Sequence, residues 1–348
     1  MDAAALTRVT GLVRAHGGPA QLCVLRDGHV VLDRRFGCGS DALFWTYSVS
    51  KPFVALLVHQ LAERGALDLD DPVAAHWPEY ARHGKEGITI RHVLAHRAGV
   101  PFASGSMVGD ALSMATWRRA VRQAEAAKPR WPAGAVVAYH MLTYGFILGE
   151  LVQRVTGEPV ADRLAGEFLG PLGLRDTHLG LPAGTWSRRV PVTADRRRDQ
   201  ARVTLFNLRR TRQAVIPAAG ISATARDLAV FYLMLLGGGR LGDVRVLRPG
   251  TITEATRVSC DGETDQVLGR PARYGYGFQL GSPGRVRAMG ELAGPDTFGH
   301  NGSNICNAWA DPGLGIAFAY LTSRVLRRGE GARHHSQVSD AIRAACTG

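Results

Sequence analysis

The chain has 348 residues, 45% of them hydrophobic and 21% charged, which suits a globular protein with a large core. Its formal net charge is +12, and although Lys and Arg total 42, only positions 51, 85 and 128 are lysine. No run of about 18 apolar residues occurs, so no membrane-spanning helix is expected. The five cysteines (Cys23, Cys38, Cys260, Cys306 and Cys346) are scattered without a CxxC pair, which argues against a disulfide framework or a zinc knuckle. The first residues lack the basic, apolar and small-residue regions of an export leader, and with this cysteine usage a cytoplasmic location is expected.

In chain order, "LTRVTGLVRAHG" has helical apolar spacing and closes on Gly17 and Gly18. "QLCVLRDGHVVLDRRFG" reads as a hairpin about Asp27-Gly28. Helical spacing starts at Ser50 and continues through "PFVALLVHQLAERG", with Pro52 tolerated near the start. From about 68 to 185 the chain is mostly helix and loop, with helices expected in "IRHVLAHRAG", "MATWRRAVRQAEA" and "TYGFILGELVQRVTG". "GISATARDLAVFYLMLLGGG" is a further helix that Ser222 or Thr224 can cap. "NAWADPGLGIAFAYLTSR" reads as two strands around a Pro-Gly turn, and "SQVSDAIRAACTG" as a last helix. β-structure at both chain ends with helices between predicts an α/β (α+β) fold, its antiparallel sheet completed by N- and C-terminal strands. Residues 1–70 and 215–348 would form one lobe, and 71–214 an inserted, mainly helical one.

Two decoys can be set aside. His92 and His96 stand four apart in "HVLAH", but Val93 occupies the place where a zinc protease needs Glu; packing or capping is expected, and no metal. Gly237, Gly239 and Gly242 match a dinucleotide-binding glycine pattern, yet they follow a helix and not a strand. Nine arginines fall between Arg188 and Arg212. No zinc-finger spacing or RNA-binding aromatic signature accompanies them, so no nucleic-acid partner is expected. The segment reads as a solvated loop, or as a basic rim in which Arg196, Arg197 and Arg198 draw in an anionic donor.

Ser48-Val49-Ser50-Lys51 fits S-x-x-K at a helix start. One helical turn brings positions i and i+3 together, so Ser48 Oγ and Lys51 Nζ can meet. The helix start also offers backbone N–H groups to an oxyanion. In so arginine-rich a chain, a lysine here is either chance or chemistry, since buried lysine can give up a proton and arginine cannot.

With these residues the sequence resembles the serine β-lactamase and penicillin-binding-protein superfamily, and most of all its class C β-lactamase-like branch, which includes the family VIII carboxylesterases. "LDLDDPVAAHWPEY", "ITIRHVLAHRAGVP", "VVAYHMLTYGFILGELVQRVTG", "AAGISATARDLAVFY" and "FGHNGSNICNAWADP" follow in that branch's order over residues 40 to 325. The resemblance implies a β-lactamase-like fold, Ser48 as nucleophile and Lys51 as its first proton partner. It places Tyr139 at the tyrosine of Y-x-N, as the expected base for acylation, and His300-Asn301-Gly302 at K-T-G or the esterase H-x-G. The backbone N–H groups of Ser48 and Ser303 would form the oxyanion hole, and Trp45, Met141, Asn301 and Gly302 would touch substrate. Two departures matter: Met141 replaces the asparagine amide of Y-x-N, and His300 replaces a fixed ammonium. The first counts against an efficient β-lactamase or peptidase, and both are tolerable for uncharged esters. The expected activity is that of an esterase or acyltransferase. An acyl-enzyme at Ser48, formed from a small ester, thioester or amide, would pass its acyl group to water, an alcohol or an amine, without a cofactor. The alternatives are a non-catalytic, ligand-binding member of the fold, against which the intact Ser48, Lys51 and Tyr139 stand, and a β-lactamase or D-alanyl peptidase.

Overall fold

The computed structural model describes residues 3–327 and 329–347. Its centre is an eight-stranded sheet in the order His29–Phe36, Ala20–Arg26, Ile316–Thr322, Cys306–Asp311, Phe298–Gly302, Gln279–Leu280, Arg270–Tyr274, Cys260–Asp265. Every neighbouring pair is antiparallel. The expected hairpin is present, turning at Asp27 (φ 49°) and Gly28 (φ 83°), the left-handed pair that suits the twist of the flanking strands. The C-terminal strands also form as expected, with Ile316–Thr322 wedged between the N-terminal strand and Cys306–Asp311.

The strand Ile316–Thr322 shows why both faces of the sheet must be covered. Ile316, Phe318 and Tyr320 point to one face, where they pack with Val9 and Val13 of the helix Ala3–His16 and with Val338 and Ile342 of the helix Glu330–Thr347. Ala317, Ala319 and Leu321 alternate to the other face, into the main core with Leu228, Phe231 and Tyr232 of the helix Ala225–Leu236. That helix is capped by Thr224, whose side chain accepts the Asp227 N–H at 3.2 Å, which satisfies a donor left free at a helix start.

Between the N- and C-terminal strands lie the helices Trp117–Ala126 and Thr143–Thr156, both close to expectation. The helix expected over "IRHVLAHRAG" shrinks to Ile90–Leu94, because the chain turns through left-handed conformations at His96 (φ 58°) and Gly99 (φ 75°). The last helix starts at Glu330, earlier than expected. The strands from 260 to 280 were not anticipated. Cys260–Asp265 reads "CDGETD" and is buried only at its two ends, so it has no apolar alternation to reveal it.

Candidate active site

Ser48 stands in a 3-10 turn, Tyr47–Ser50, that runs directly into the helix Lys51–Glu63. The turn is fixed from behind. The Thr46 N–H and Oγ1 both donate to Ile221 O, at 2.9 and 3.0 Å. Ser50 Oγ donates to Tyr47 O at 2.6 Å and accepts the Ile221 N–H at 3.1 Å. Ser50 is thus occupied in holding the turn, which leaves Ser48 as the serine paired with Lys51. Tyr47 takes a left-handed φ of 51°, rare for a bulky residue. The turn also presses on the sheet at Gly302, where a Cβ would lie 2.3 Å from Thr46 O and 3.3 Å from Cys306 Cβ. Only glycine allows the strand Phe298–Gly302 to come so close to the nucleophile turn.

Lys51 is fully buried. Its ammonium donates to Met141 O at 2.8 Å, to Ala218 O at 3.2 Å and to Ser48 Oγ at 3.4 Å, so its three protons have three acceptors. The rings of Tyr139 and Tyr144 lie 4.8 and 5.7 Å from Nζ, and no carboxylate pairs with it among the described residues. Burial without a counter-charge pushes its pKa from 10.5 down to about 7.

The Tyr139 hydroxyl is hydrogen-bonded to Ser48, but burial, the larger effect, holds the phenol above its ordinary range. Its backbone is anchored by buried Asp265, whose Oδ1 accepts the N–H groups of Tyr139 (3.2 Å), Val267 and Leu268 (both 2.8 Å). Asp265 Oδ2 accepts the Tyr274 hydroxyl at 3.1 Å. His300 reaches the same place from the strand, its ring centroid 6.2 Å from that of Tyr139. The His300 Nδ1–H donates to Asn301 O at 2.9 Å. Burial, reinforced by the Lys51 charge, brings its pKa down to about 3, so His300 is a neutral imidazole and not a substitute ammonium.

The structure brings Ser48, Lys51, Tyr139 and His300 together; the remaining expected residues stand differently. Met141 meets Lys51 through its backbone carbonyl, while its partly buried side chain packs with Tyr139 and Tyr274. Asn301 is spent on the turn after the strand: its Nδ2 donates to Asn304 Oδ1 and its Oδ1 accepts the Asn304 N–H, both at 2.8 Å. Trp45 is only 2% exposed and stacks on Phe206, ring centroids 6.3 Å apart. It supports the turn from behind and offers little surface to a ligand.

Sequence reasoning missed His96. Its ring lies 4.6 Å from Tyr139 and 4.8 Å from Tyr144, and its Nδ1 accepts the His140 N–H at 3.1 Å. Its four-residue spacing from His92 invites a metal reading, but the two diverge. His92 caps its own helix, exchanging bonds with Thr89 at 3.2 Å each way, and only His96 reaches the site. The Arg188–Arg212 segment is not one loop. It holds the helices Gln200–Asn207 and Arg209–Gln213; Arg188 pairs with Asp41 and Asp176, and Arg212 is buried against Trp45.

Residues 9–341 match the family described as beta-lactamase. "Esterase/beta-lactamase LipL" of Mycobacterium tuberculosis is 30% identical over 349 residues, covering 90% of this chain and 78% of that protein. A penicillin-binding protein homologue from Caulobacter crescentus superposes with a TM-score of 0.83 at 27% identity, covering 98% of this chain and 97% of the other. A family VIII carboxylesterase does so with a TM-score of 0.82 at 26% identity, covering 97% and 98%. A family match over nearly the whole length, on a fold that sets a serine, a lysine and a tyrosine against one another, leads to one conclusion: the chain belongs to the beta-lactamase family.

Proposed function

We propose that the protein is a serine esterase or acyltransferase that forms an acyl-enzyme at Ser48 from a small ester or thioester and passes the acyl group to water, an alcohol or an amine. The observation that carries this reading is the buried Lys51 ammonium, 3.4 Å from Ser48 Oγ and without a carboxylate partner among the described residues. A base must be deprotonated at working pH and within reach of the proton it takes. Lys51, with its pKa near 7, meets both conditions. Tyr139, held as a phenol by burial, fits better as a relay between Ser48 and Lys51 than as a standing base, which revises the role expected from sequence. As Ser48 attacks the carbonyl, its proton passes to Lys51 directly or through the Tyr139 hydroxyl. The oxyanion is received by the N–H groups of Ser48 and Ser303, and the proton returns to the leaving alkoxide or thiolate. The acceptor repeats the sequence in reverse order.

Two of the similar proteins are described as an esterase/beta-lactamase and a carboxylesterase, which supports ester chemistry. With Met141 offering no side-chain amide to a substrate amide group, esters are the preferred class. The test is kcat/KM for p-nitrophenyl butyrate against benzylpenicillin. A ratio of about 100 or more is expected; comparable values would refute the preference.

A further inference from the structure

A second concentration of charge lies beside this site. Arg270 on the strand Arg270–Tyr274 and Arg287 in the following loop line a cleft whose wall includes Tyr274, Gln279 and Asn301. Tyr274 connects the cleft to the acylation site, since its ring centroid is 6.3 Å from that of Tyr139 and Asn301 follows His300 directly. The nearby guanidinium of Arg273 is accounted for: it pairs with Asp261 at 3.0 Å and donates to Gly281 O and Pro295 O at 2.7 Å. Arg270 and Arg287 are not. Arg287 has one polar partner, Pro271 O at 3.0 Å. Among the described residues neither is in an ion pair, and Arg270 makes no side-chain hydrogen bond. The carboxylate opposite Arg270 in the ladder, Asp265, is spent on Tyr139, Val267, Leu268 and Tyr274.

Two half-buried guanidiniums repel each other, and the charge of exposed Arg285 acts on Arg287 as well. Burial, Arg270 and Arg285 all push the Arg287 pKa down. An anion between them would remove that repulsion, and a guanidinium fork matches a carboxylate bidentately. We propose that Arg270 and Arg287 form a carboxylate-binding subsite beside the acylation site, selecting ester donors that carry a carboxylate. This rests on the esterase reading above and moves the anionic-donor role from Arg196, Arg197 and Arg198 to the wall of the cleft.

The test compares three donors in the wild type and in Arg270→Gln/Arg287→Gln. p-Nitrophenyl butyrate is neutral, mono-p-nitrophenyl glutarate carries the carboxylate on the acyl chain, and 4-butyryloxybenzoate carries it on the leaving group. Losing two charge-assisted contacts should lower kcat/KM for an anionic donor, relative to the neutral one, about tenfold or more. The anionic donor that shows this fall identifies the side the subsite serves. An unchanged ratio for both anionic donors overturns the subsite while leaving the esterase intact. Glutarate binding by calorimetry gives a readout independent of turnover. If no ester is cleaved, the esterase reading fails, and the subsite stands only if the double variant binds glutarate about tenfold more weakly than the wild type. Equal glutarate binding by the two proteins would overturn it.

Discussion

Replacing Lys51 with arginine separates a base from a fixed charge. At pH 8 a group with a pKa of about 7 is neutral in roughly ten molecules for each one charged. An arginine, with a pKa above about 12, is neutral in fewer than about one in 10⁴. If Lys51 takes the Ser48 proton, Lys51→Arg should slow acylation about 10³-fold or more, even though the positive charge stays close to Ser48. The assay is single-turnover p-nitrophenol release with enzyme in excess, from pH 5 to 9. The wild type should show one ascending limb near pH 7, as Lys51 loses its proton, and the variant a low, flat profile. The groups around Lys51 do not imitate that limb: burial brings His300 to about 3 and His140 to about 4, holds His96 well below 6.5, and keeps Tyr139 and Tyr144 protonated. The same shift acts on stability. Folded Lys51 holds fewer protons than unfolded Lys51 between about pH 7 and 10.5, so its contribution to stability rises with pH across that window. Denaturant titrations of wild type and Lys51→Met should show a difference that grows in that direction. A Lys51→Arg variant that kept most of the wild-type rate, or kept the limb near pH 7, would refute the reasoning.

Three further outcomes are expected. Gly302→Ala places a Cβ 2.3 Å from Thr46 O and must part the strand from the nucleophile turn; kcat should fall about tenfold to a hundredfold, with a loss of about 1–3 kcal/mol in urea unfolding. Tyr139→Phe keeps the ring beside Lys51 and removes the relay oxygen, so single-turnover acylation should drop by about 10² or more with the circular dichroism spectrum unchanged. Lys85→Ala strips a buried ammonium from Arg82 O, Glu125 O and Ala127 O, bonded at 2.7, 2.8 and 2.6 Å. It should cost about 3 kcal/mol or more in denaturant unfolding, with little change in kcat for the folded fraction.

That second lysine qualifies the sequence argument. The rarity of lysine drew attention to Lys51, yet Lys85 is buried just as fully and caps three carbonyls far from Ser48. A compact ammonium with three donors suits such a pocket where a planar guanidinium does not. Rarity therefore marked a geometric need at both positions, and only the neighbouring serine and tyrosine distinguish the site. What was legible was what local spacing encodes: the i, i+3 pair at a helix start, the hairpin at Asp27-Gly28, and the alternating C-terminal strands. His96 was not legible as a site residue, because its approach to Tyr139 depends on a left-handed turn at its own backbone and on a helix fifty residues further along. Nor was the burial of Trp45, which is set by Phe206 and Arg212 arriving from a distant segment. Asn301 looked like a ligand contact in the motif, but its side chain closes a turn with Asn304, a bond between neighbours that the motif does not announce.

The central claim is that Ser48 carries the acyl group. Intact-protein mass spectrometry after brief incubation with p-nitrophenyl butyrate, followed by peptide mapping, tests it most directly. The wild type should gain one butyryl mass confined to the peptide containing Ser48, and Ser48→Ala should gain none while keeping its fold. A butyryl group mapped to Ser50 or Ser303, or an adduct that persisted in Ser48→Ala, would contradict the account.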